Sequence, residues 1–346
     1  MNARPMNDVL PISSGLLLVD KPAGVTSHTV VAQVRKSLLR VNPHWDPRSS
    51  AGRKKGGPRP PRFKVGHAGT LDPLATGLLL ILVGKGSRLS PFLMGLDKSY
   101  LATIRFGEGT DSLDSDGSVV ATAEVPADPG VIHNCLDLFR GNIQQVPPAV
   151  SALKYQGQPL YKLVRQGKPL PELKARPVNI SLLEIQDTRW PDAEMDLLVE
   201  CSSGTYIRSL ARDLAQASGT EGHIAGLRRL TVGPFSVEQA VGRILEIDGA
   251  EMAAGLLSLS EALAHIPCLE VDDLQAAALR QGTQPDPTWL EQLEGSPVQN
   301  GKVEAIFRMV DASGDLVAVG RLEQETGIPK IAAVIPTEKE DPNSCA

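Results

Sequence analysis

The chain has 346 residues, a formal net charge of −5 and only four cysteines. This length suits one large domain with a smaller one beside it. No apolar run reaches the roughly 20 residues of a membrane span, and the N-terminus lacks the apolar centre of a signal peptide. We therefore expect a cytoplasmic protein. The cysteines have no paired spacing, which argues against a disulfide framework and against a zinc site.

The charges are unevenly distributed along the chain. Residues 1–110 carry 16 Lys and Arg against 6 Asp and Glu, whereas residues 234–346 carry 7 against 19. A basic region can attract a phosphate backbone, and an acidic region keeps a protein in solution. The distribution is compatible with a nucleic-acid partner despite the negative total. The alternative is a compositional bias without a function.

A strand and a helix are the first predicted elements. The apolar run 15–21 ends at Pro22 and is typical of a short buried strand. Thr26 and Ser27 are good N-cap residues for a helix whose apolar residues follow at helical spacing. The next segment, about 41–63, is rich in Pro, Gly, Arg and Lys. We interpret it as a mobile basic insertion, either simply solvated or able to hold RNA phosphates.

Residues 66–79 are the most informative stretch, with the sequence Gly-His-Ala-Gly-Thr-Leu-Asp-Pro-Leu-Ala-Thr-Gly-Leu-Leu. Pro73 keeps the preceding Asp72 out of the helical region, so the aspartate should lie in a turn or an extended segment. Glycines on both sides permit close approach by a ligand or by another backbone. The apolar run 78–83 predicts a strand that is buried on both faces. The carboxylate is therefore predicted to emerge beside the core.

Three kinds of element are predicted in the middle of the chain. The alternating run 98–107 predicts a strand with Tyr100 near its start. The acidic run 111–116 lacks the spacing of a calcium loop, and we interpret it as a solvated turn. Helices are predicted over about 129–140 and 159–166.

A second set of chemically distinctive residues follows a predicted strand at 195–201. The sequence there continues as Ser-Ser-Gly-Thr-Tyr-Ile-Arg-Ser-Leu and contains Tyr206 and Arg208. Its apolar spacing predicts a helix with an apolar inward stripe, and Arg208 and Arg212 lie together on a different face. The run 222–235, Gly-His-Ile-Ala-Gly-Leu-Arg-Arg-Leu-Thr-Val-Gly-Pro-Phe, comes shortly afterwards.

The acidic C-terminal part, from about residue 266, has the pattern of a small module. A helix is predicted over 274–280, and alternating segments occur at 303–310, 316–320 and 331–335. Short strands separated by Gly-Asp and Gly-Ile-Pro turns favour a compact barrel-like unit.

Taken together, these stretches resemble the motifs of the TruB family of tRNA pseudouridine synthases, in order, over about residues 13–240. The resemblance implies an α+β pseudouridine synthase fold, with a central mixed, largely antiparallel sheet and a catalytic cleft. It implies a catalytic domain over 1–250 and a small β-rich, PUA-like domain over 266–338. The acidity of the second domain argues against direct contact with phosphates.

The resemblance assigns the chemistry to three residues. Asp72 matches the essential aspartate of the family, which acts on the target nucleoside as a nucleophile or as a base. Arg208 matches the arginine that pairs with this carboxylate and keeps it ionised. Tyr206 is implied to transfer a proton near C5 of the uracil.

Four further residues are implied to bind the substrate. Tyr100 would stack against the target base, and Leu227 would close the pocket around it. His67 would enter the space vacated by flipped nucleotides, which is a positioning role in the RNA complex. Lys21, from a Lys-Pro pair, would pack under the catalytic loop.

The implied reaction converts uridine 55, in the T-arm of tRNA, to pseudouridine. The bond between uracil N1 and ribose C1′ is cleaved, the base turns, and it is rejoined through C5. Nothing is oxidised and no group is donated, so the resemblance implies neither a cofactor nor a metal. The uridine must first leave its stack, at a cost of roughly a few kcal/mol.

The implied partner is tRNA, bound by a monomer that needs no membrane and no obligatory protein partner. Two other classes of function remain open. A tRNA-binding folding chaperone would need no catalysis. A guide-RNA-dependent pseudouridine synthase of a ribonucleoprotein would need partner proteins and a guide for its activity.

Overall fold

The computed structural model describes residues 14–41, 63–151, 153–242, 248–292, 306–323 and 325–336. The basic insertion predicted at 41–63 lies outside these ranges except for its two end residues. Among the described residues, no helix has the length and apolar character needed to cross a membrane.

The described ranges contain seven α-helices and seventeen β-strands. The helices are α1 (Ser27–Val41), α2 (Ser90–Met94), α3 (Gly130–Cys135), α4 (Leu160–Arg165), α5 (Ile207–Ala217), α6 (Gly249–Ala254) and α7 (Asp273–Arg280). The strands are β1 (Gly15–Lys21), β2 (Val65–His67), β3 (Thr76–Val83), β4 (Lys98–Phe106), β5 (Glu108–Thr110), β6 (Val119–Thr122), β7 (Gly141–Gln145), β8 (Lys154–Tyr155), β9 (Gln158–Pro159), β10 (Arg176–Arg189), β11 (Glu194–Cys201), β12 (Gly222–Val232), β13 (Phe235–Ser236), β14 (Cys268–Glu270), β15 (Ile306–Val310), β16 (Leu316–Leu322) and β17 (Pro329–Val334).

The larger sheet has nine strands, seven of which follow the order β1-β3-β12-β4-β11-β10-β7. In addition, β2 pairs with β3, and β13 pairs with β12. The pairing of β3 with β12 is parallel, and the other pairings in this sheet are antiparallel. The predicted mixed, largely antiparallel sheet of an α+β fold is thus confirmed. The order also inserts β12 between β3 and β4, so late residues lie beside the central motif.

The strands β1 and β3 are buried on both faces, as their continuous apolar sequences predict. On one face, Leu17, Leu79 and Ile81 join a core that includes the apolar stripes of α1 and α5. On the opposite face, Leu16 and Leu80 belong to a second core. The buried strand β3 follows the central motif directly, and β1 ends at Lys21, just before the turn that leads into α1.

The C-terminal part forms a separate sheet of four strands in the order β14-β15-β16-β17. It has a core of its own, centred on residues such as Phe307 and Met309 against α7. Four other residues, Val310, Leu316, Val319 and Ile335, belong to the core behind β1 and β3. The C-terminal unit therefore packs directly against the back of the larger sheet.

Most predicted elements are confirmed, with differences at their ends. The first predicted strand coincides with β1, and the predicted C-terminal helix coincides with α7 to within one residue. The helix predicted over 129–140 stops at Cys135 and continues as the 3-10 turn Leu136–Phe139. The helix predicted over 159–166 is confirmed as the short α4.

Candidate active site

The central motif forms the loop between β2 and β3. The chain leaves β2 at His67, turns at Gly69 with φ +97°, and enters β3 just before Gly77 with φ +99°. L-residues with a side chain rarely adopt such φ values. A Cβ on Gly77 would also collide with the backbone of Arg229, because β3 and β12 approach closely there. The two glycines thus let the loop leave and rejoin the sheet, with Asp72 at its tip.

The loop is fixed on both sides of the aspartate by the turn before α1. The buried Ser27 hydroxyl donates to Leu71 O and accepts from Leu71 N, both at 2.9 Å. The Gly24 amide donates to Pro73 O at 2.9 Å. Of the two predicted N-cap residues, Thr26 is the N-cap, since its hydroxyl accepts a hydrogen bond from the backbone amide three positions later. The Ser27 hydroxyl instead holds the loop, a contact that the sequence analysis missed.

Lys21 lies beneath the same loop and is fully buried. Its Nζ donates to three carbonyl oxygens, those of Pro22 (2.9 Å), Val25 (2.8 Å) and Pro73 (3.1 Å). Burial lowers the pKa of Lys21 to about 8, against the opposing effect of the nearby Asp72 charge. Its predicted position under the catalytic loop agrees with these contacts.

Replacing Lys21 with methionine is expected to lower the free energy of unfolding by about 1–3 kcal/mol, because buried carbonyls lose their donor. Asp72 should lose its fixed position as well, so the rate of product formation should also fall. The measurements are denaturant unfolding and single-turnover kinetics. Lys36, exposed on α1, gives the control Lys36→Met. Equal stability of the two variants would contradict this role of Lys21.

Asp72 and Arg208 form an ion pair, with 2.9 Å between Arg208 Nε and Asp72 Oδ2. The arginine side chain is 6% exposed and that of the aspartate 35%. The other guanidinium nitrogens are also used, since Nη1 donates to Ser112 O at 2.7 Å and Nη2 to Val150 O at 3.0 Å. The cation is therefore fixed in orientation, and the carboxylate keeps an accessible side for a substrate.

Asp114 is a second carboxylate beside the same arginine, 3.5 Å from Nη1 of Arg208. Its side chain is 7% exposed, so the interpretation of 111–116 as a solvated turn is wrong at this position. The turn lies against the sheet, since Leu113 O accepts a hydrogen bond from the Ile224 amide of β12. Burial raises the pKa of Asp114, and the Asp72 charge acts in the same direction. The sequence signal for this packing was Leu113, an apolar residue inside the acidic run.

Replacing Asp114 with asparagine is expected to reduce the single-turnover rate by about 10- to 100-fold, the equivalent of one hydrogen bond to a charged group. The physical reason is that Arg208 loses one of its two acidic partners and its hold on Asp72 changes. Binding of tRNA, the substrate that the motifs imply, should change little when it is measured by filter retention. The exposed Asp116 gives the control Asp116→Asn, and an equal loss in both variants would contradict the argument.

The two predicted active-site tyrosines lie near the aspartate. Tyr206 stands at the N-cap of α5, where its amide donates to Gln145 Oε1 at 2.8 Å and its carbonyl accepts from Gln145 Nε2 at 3.1 Å. Tyr100 is buried in β4. Burial raises the pKa of both phenols, and the Asp72 charge adds to it in each case. Asp72, Arg208, Tyr100 and Tyr206 therefore belong to one cluster.

His67 and Leu227 lie on strands beside this loop, and among the described residues neither forms a hydrogen bond or an ion pair with the carboxylate. His67 is half-buried at the end of β2, and its Nδ1 has no hydrogen-bond partner among the described atoms. Burial lowers the pKa of His67, and the Arg229 charge adds to this. Leu227 is 9% exposed in β12, and its carbonyl is 3.5 Å from the hydroxyl of Thr76 at the end of the loop.

The structure adds Arg229 to the surroundings of the loop. This residue is 1% exposed and has the largest fully buried side chain among the described residues. Its Nε donates to Leu78 O at 2.7 Å and its Nη2 to Gly69 O at 3.3 Å. The sequence analysis included it only within the run 222–235, since an arginine next to another arginine is more often exposed. Within the described ranges, no group of three His, Cys, Asp or Glu side chains could hold a metal.

Comparison with known proteins assigns the chain to a family. Residues 55–207 match the model of the TruB family pseudouridylate synthase (N terminal domain). A protein of Corynebacterium efficiens named tRNA pseudouridine synthase B is 38% identical over 305 residues, which cover 87% of this chain and 94% of that protein. A protein of the same name from Rhodococcus jostii is 39% identical over 334 residues, which cover 94% of this chain and 95% of that protein.

Solved structures share the fold at lower identity. A structure described as a Cbf5-Nop10-Gar1 complex contains a chain with a TM-score of 0.62 and 23% identity, aligned over 96% of this chain and 86% of its own. A structure of an H/ACA RNP bound to a substrate RNA containing 2′-deoxyuridine gives a TM-score of 0.62 at 20% identity, over 99% of this chain and 90% of the other. These likenesses concern the fold alone. Since its named relatives align over most of its length, the chain belongs to the TruB family of pseudouridylate synthases.

Proposed function

We propose that this protein isomerises uridine 55 in the T-arm of tRNA to pseudouridine. The observation that carries the proposal is the ion pair of Asp72 and Arg208, in which the carboxylate keeps an open side above a loop fixed from below. The relatives named tRNA pseudouridine synthase B support tRNA as the substrate.

Three residues carry the chemistry in this proposal. Asp72, ionised and held by Arg208, acts on the flipped nucleoside as a nucleophile or as a base. The N1–C1′ bond breaks, the uracil turns, and a bond forms between C5 and C1′. The proton at C5 leaves and N1 gains one, so the product is an isomer of the substrate. Tyr206, whose hydroxyl is within the influence of both the Asp72 and the Arg208 charges, takes part in the proton transfer near C5.

The other predicted residues hold the substrate. Tyr100 stacks against the base and Leu227 closes the pocket, both from strands that meet beside the loop. His67 lies at the end of β2, five residues before the aspartate, where it can occupy the space left by the flipped nucleotide. Lys21 keeps the loop in place through its contacts with the backbone.

The proposed organisation is a catalytic domain over 1–250 and a PUA-like domain over 266–338, acting as a monomer in the cytoplasm. The separate core around Phe307 supports the second unit. Its packing against the larger sheet means that the two units share apolar contacts. No obligatory protein partner is included in the proposal.

A second candidate is a guide-dependent synthase, favoured by the structural likeness to chains solved in complexes with Nop10 and Gar1. That likeness rests on 23% identity, whereas the relatives named tRNA pseudouridine synthase B reach about 40%. A tRNA-folding chaperone is the third candidate, and it would not depend on the ionised Asp72.

The test uses the purified full chain and an unmodified tRNA transcript carrying tritium at C5 of its uridines. Because C5 loses its hydrogen in the reaction, tritium release measures turnover directly. We expect release with the protein alone and none from a transcript with cytidine at position 55. Release that requires added guide RNA and partner proteins would support the second candidate. Faster tRNA folding without any release would support the third.

A further inference from the structure

Arg229 lies on β12, the strand between β3 and β4 in the larger sheet. In the register of β12 it pairs with Tyr100 of β4 on one side and with Gly77 of β3 on the other. Residues that pair across neighbouring strands project their side chains to the same face. Arg229 and Tyr100 therefore lie side by side, next to the strand that follows the catalytic loop.

The Arg229 side chain connects three parts of the site. Its Nε donates to Leu78 O and its Nη2 to Gly69 O, which joins the two ends of the loop. It also lies beside Tyr100, its partner across the strands, and its charge acts on the Tyr100 phenol.

The charge of Arg229 has no acidic partner within ion-pair distance among the described residues. Burial of an unpaired cation is costly, and a hydrophobic side chain of similar size would avoid that cost. The charge influences Lys21, His67 and Tyr100, all of which belong to the proposed site. A residue needed only to fill the core would not require a guanidinium at this position.

We propose that Arg229 is a positioning residue for the isomerisation, which holds Tyr100 and the loop of Asp72 in a single fixed arrangement. The proposal rests on the proposed function. Through Gly69 O it fixes the loop three residues before the aspartate, and as the cross-strand neighbour of Tyr100 it lies beside the ring that stacks on the base. Loss of the guanidinium should therefore slow the reaction while tRNA still binds.

The test compares Arg229→Lys, Tyr100→Phe and the double variant by single-turnover tritium release and by tRNA affinity. A lysine keeps the charge but cannot donate in two directions from a planar group. We expect Arg229→Lys to lower the rate by about 10- to 100-fold and to change the dissociation constant by less than about threefold. Because the two side chains are neighbours across the strands, the rate loss of the double variant should be at least about threefold smaller than the product of the two single losses.

Arg140→Lys is the matched control, because Arg140 likewise donates Nε and Nη2 to backbone, at Leu183 O. Its rate should stay within about twofold of the unaltered protein. If the unaltered protein releases no tritium, the proposed function itself is refuted. If the unaltered protein is active, the role of Arg229 would be refuted by an Arg229→Lys variant that has the normal rate or that loses only tRNA affinity. It would also be refuted if the rate loss of the double variant equalled the product of the two single losses. Should Arg229→Lys not fold in a thermal scan, Arg229→Gln replaces it in the same comparison, and an unchanged rate in that variant would refute the role equally.

Discussion

Asp72→Asn is expected to reduce pseudouridine formation by on the order of a thousandfold or more, while tRNA binding remains nearly unchanged. The amide has almost the same size as the carboxylate, so the loop contacts of Ser27 and Lys21 with the neighbouring backbone should persist. What is lost is the negative oxygen that meets the nucleoside. The pair with Arg208 also becomes a bond between a cation and a neutral group.

The measurement for Asp72→Asn combines single-turnover tritium release with equilibrium binding of the same tRNA. Asp137, whose side chain is 83% exposed, supplies the control Asp137→Asn, which should behave like the unaltered protein. A rate within about tenfold of the unaltered protein would show that another group performs the first chemical step. A large loss of affinity with little loss of rate would assign the aspartate to binding.

Arg208→Lys should have the second largest effect, a loss of about 100- to 1000-fold in rate, as found when a fixed electrostatic donor is removed from an active site. Arg208 contacts Asp72, Ser112 and Val150 through three different nitrogens. A lysine has one nitrogen and cannot reproduce this geometry. The carboxylate would keep a positive neighbour but lose its fixed direction.

Arg212→Lys is the control for this second prediction. Arg212 lies four residues later on α5, is 21% exposed, and pairs with Asp213. Both variants keep the charge of the helix, so a difference between them reports on the site alone. Equal rates in the two variants would contradict the proposed role of Arg208, as would a loss that appears only in tRNA affinity.

The secondary structure could be predicted where local patterns are strong. The strands β1 and β3 have continuous apolar runs, and the apolar stripe of α5 repeats every three to four residues. Such signals depend on a few neighbouring residues, and a single sequence contains them. Three of the four strands in the C-terminal sheet, β15, β16 and β17, were also predicted from their short alternating segments, whereas β14 was not.

The partners of the site residues could not be predicted in this way. Arg208 meets Asp114 across 94 positions of the chain, and Arg229 reaches the carbonyl of Gly69 across 160. Both contacts depend on the position of β12 between β3 and β4. A local sequence pattern does not encode that strand order. Asp114 was therefore assigned to the solvent, and Arg229 was not singled out at all.

The position of β12 also has a consequence for synthesis on the ribosome. Until residues 222–232 have left the exit tunnel, β4 has no partner along the edge that they later cover over nine paired positions. Such an open edge can recruit strands from other chains, and distant pairings form slowly. Nascent chains that stop before this point should be prone to aggregation, and no catalytic pocket can exist in them.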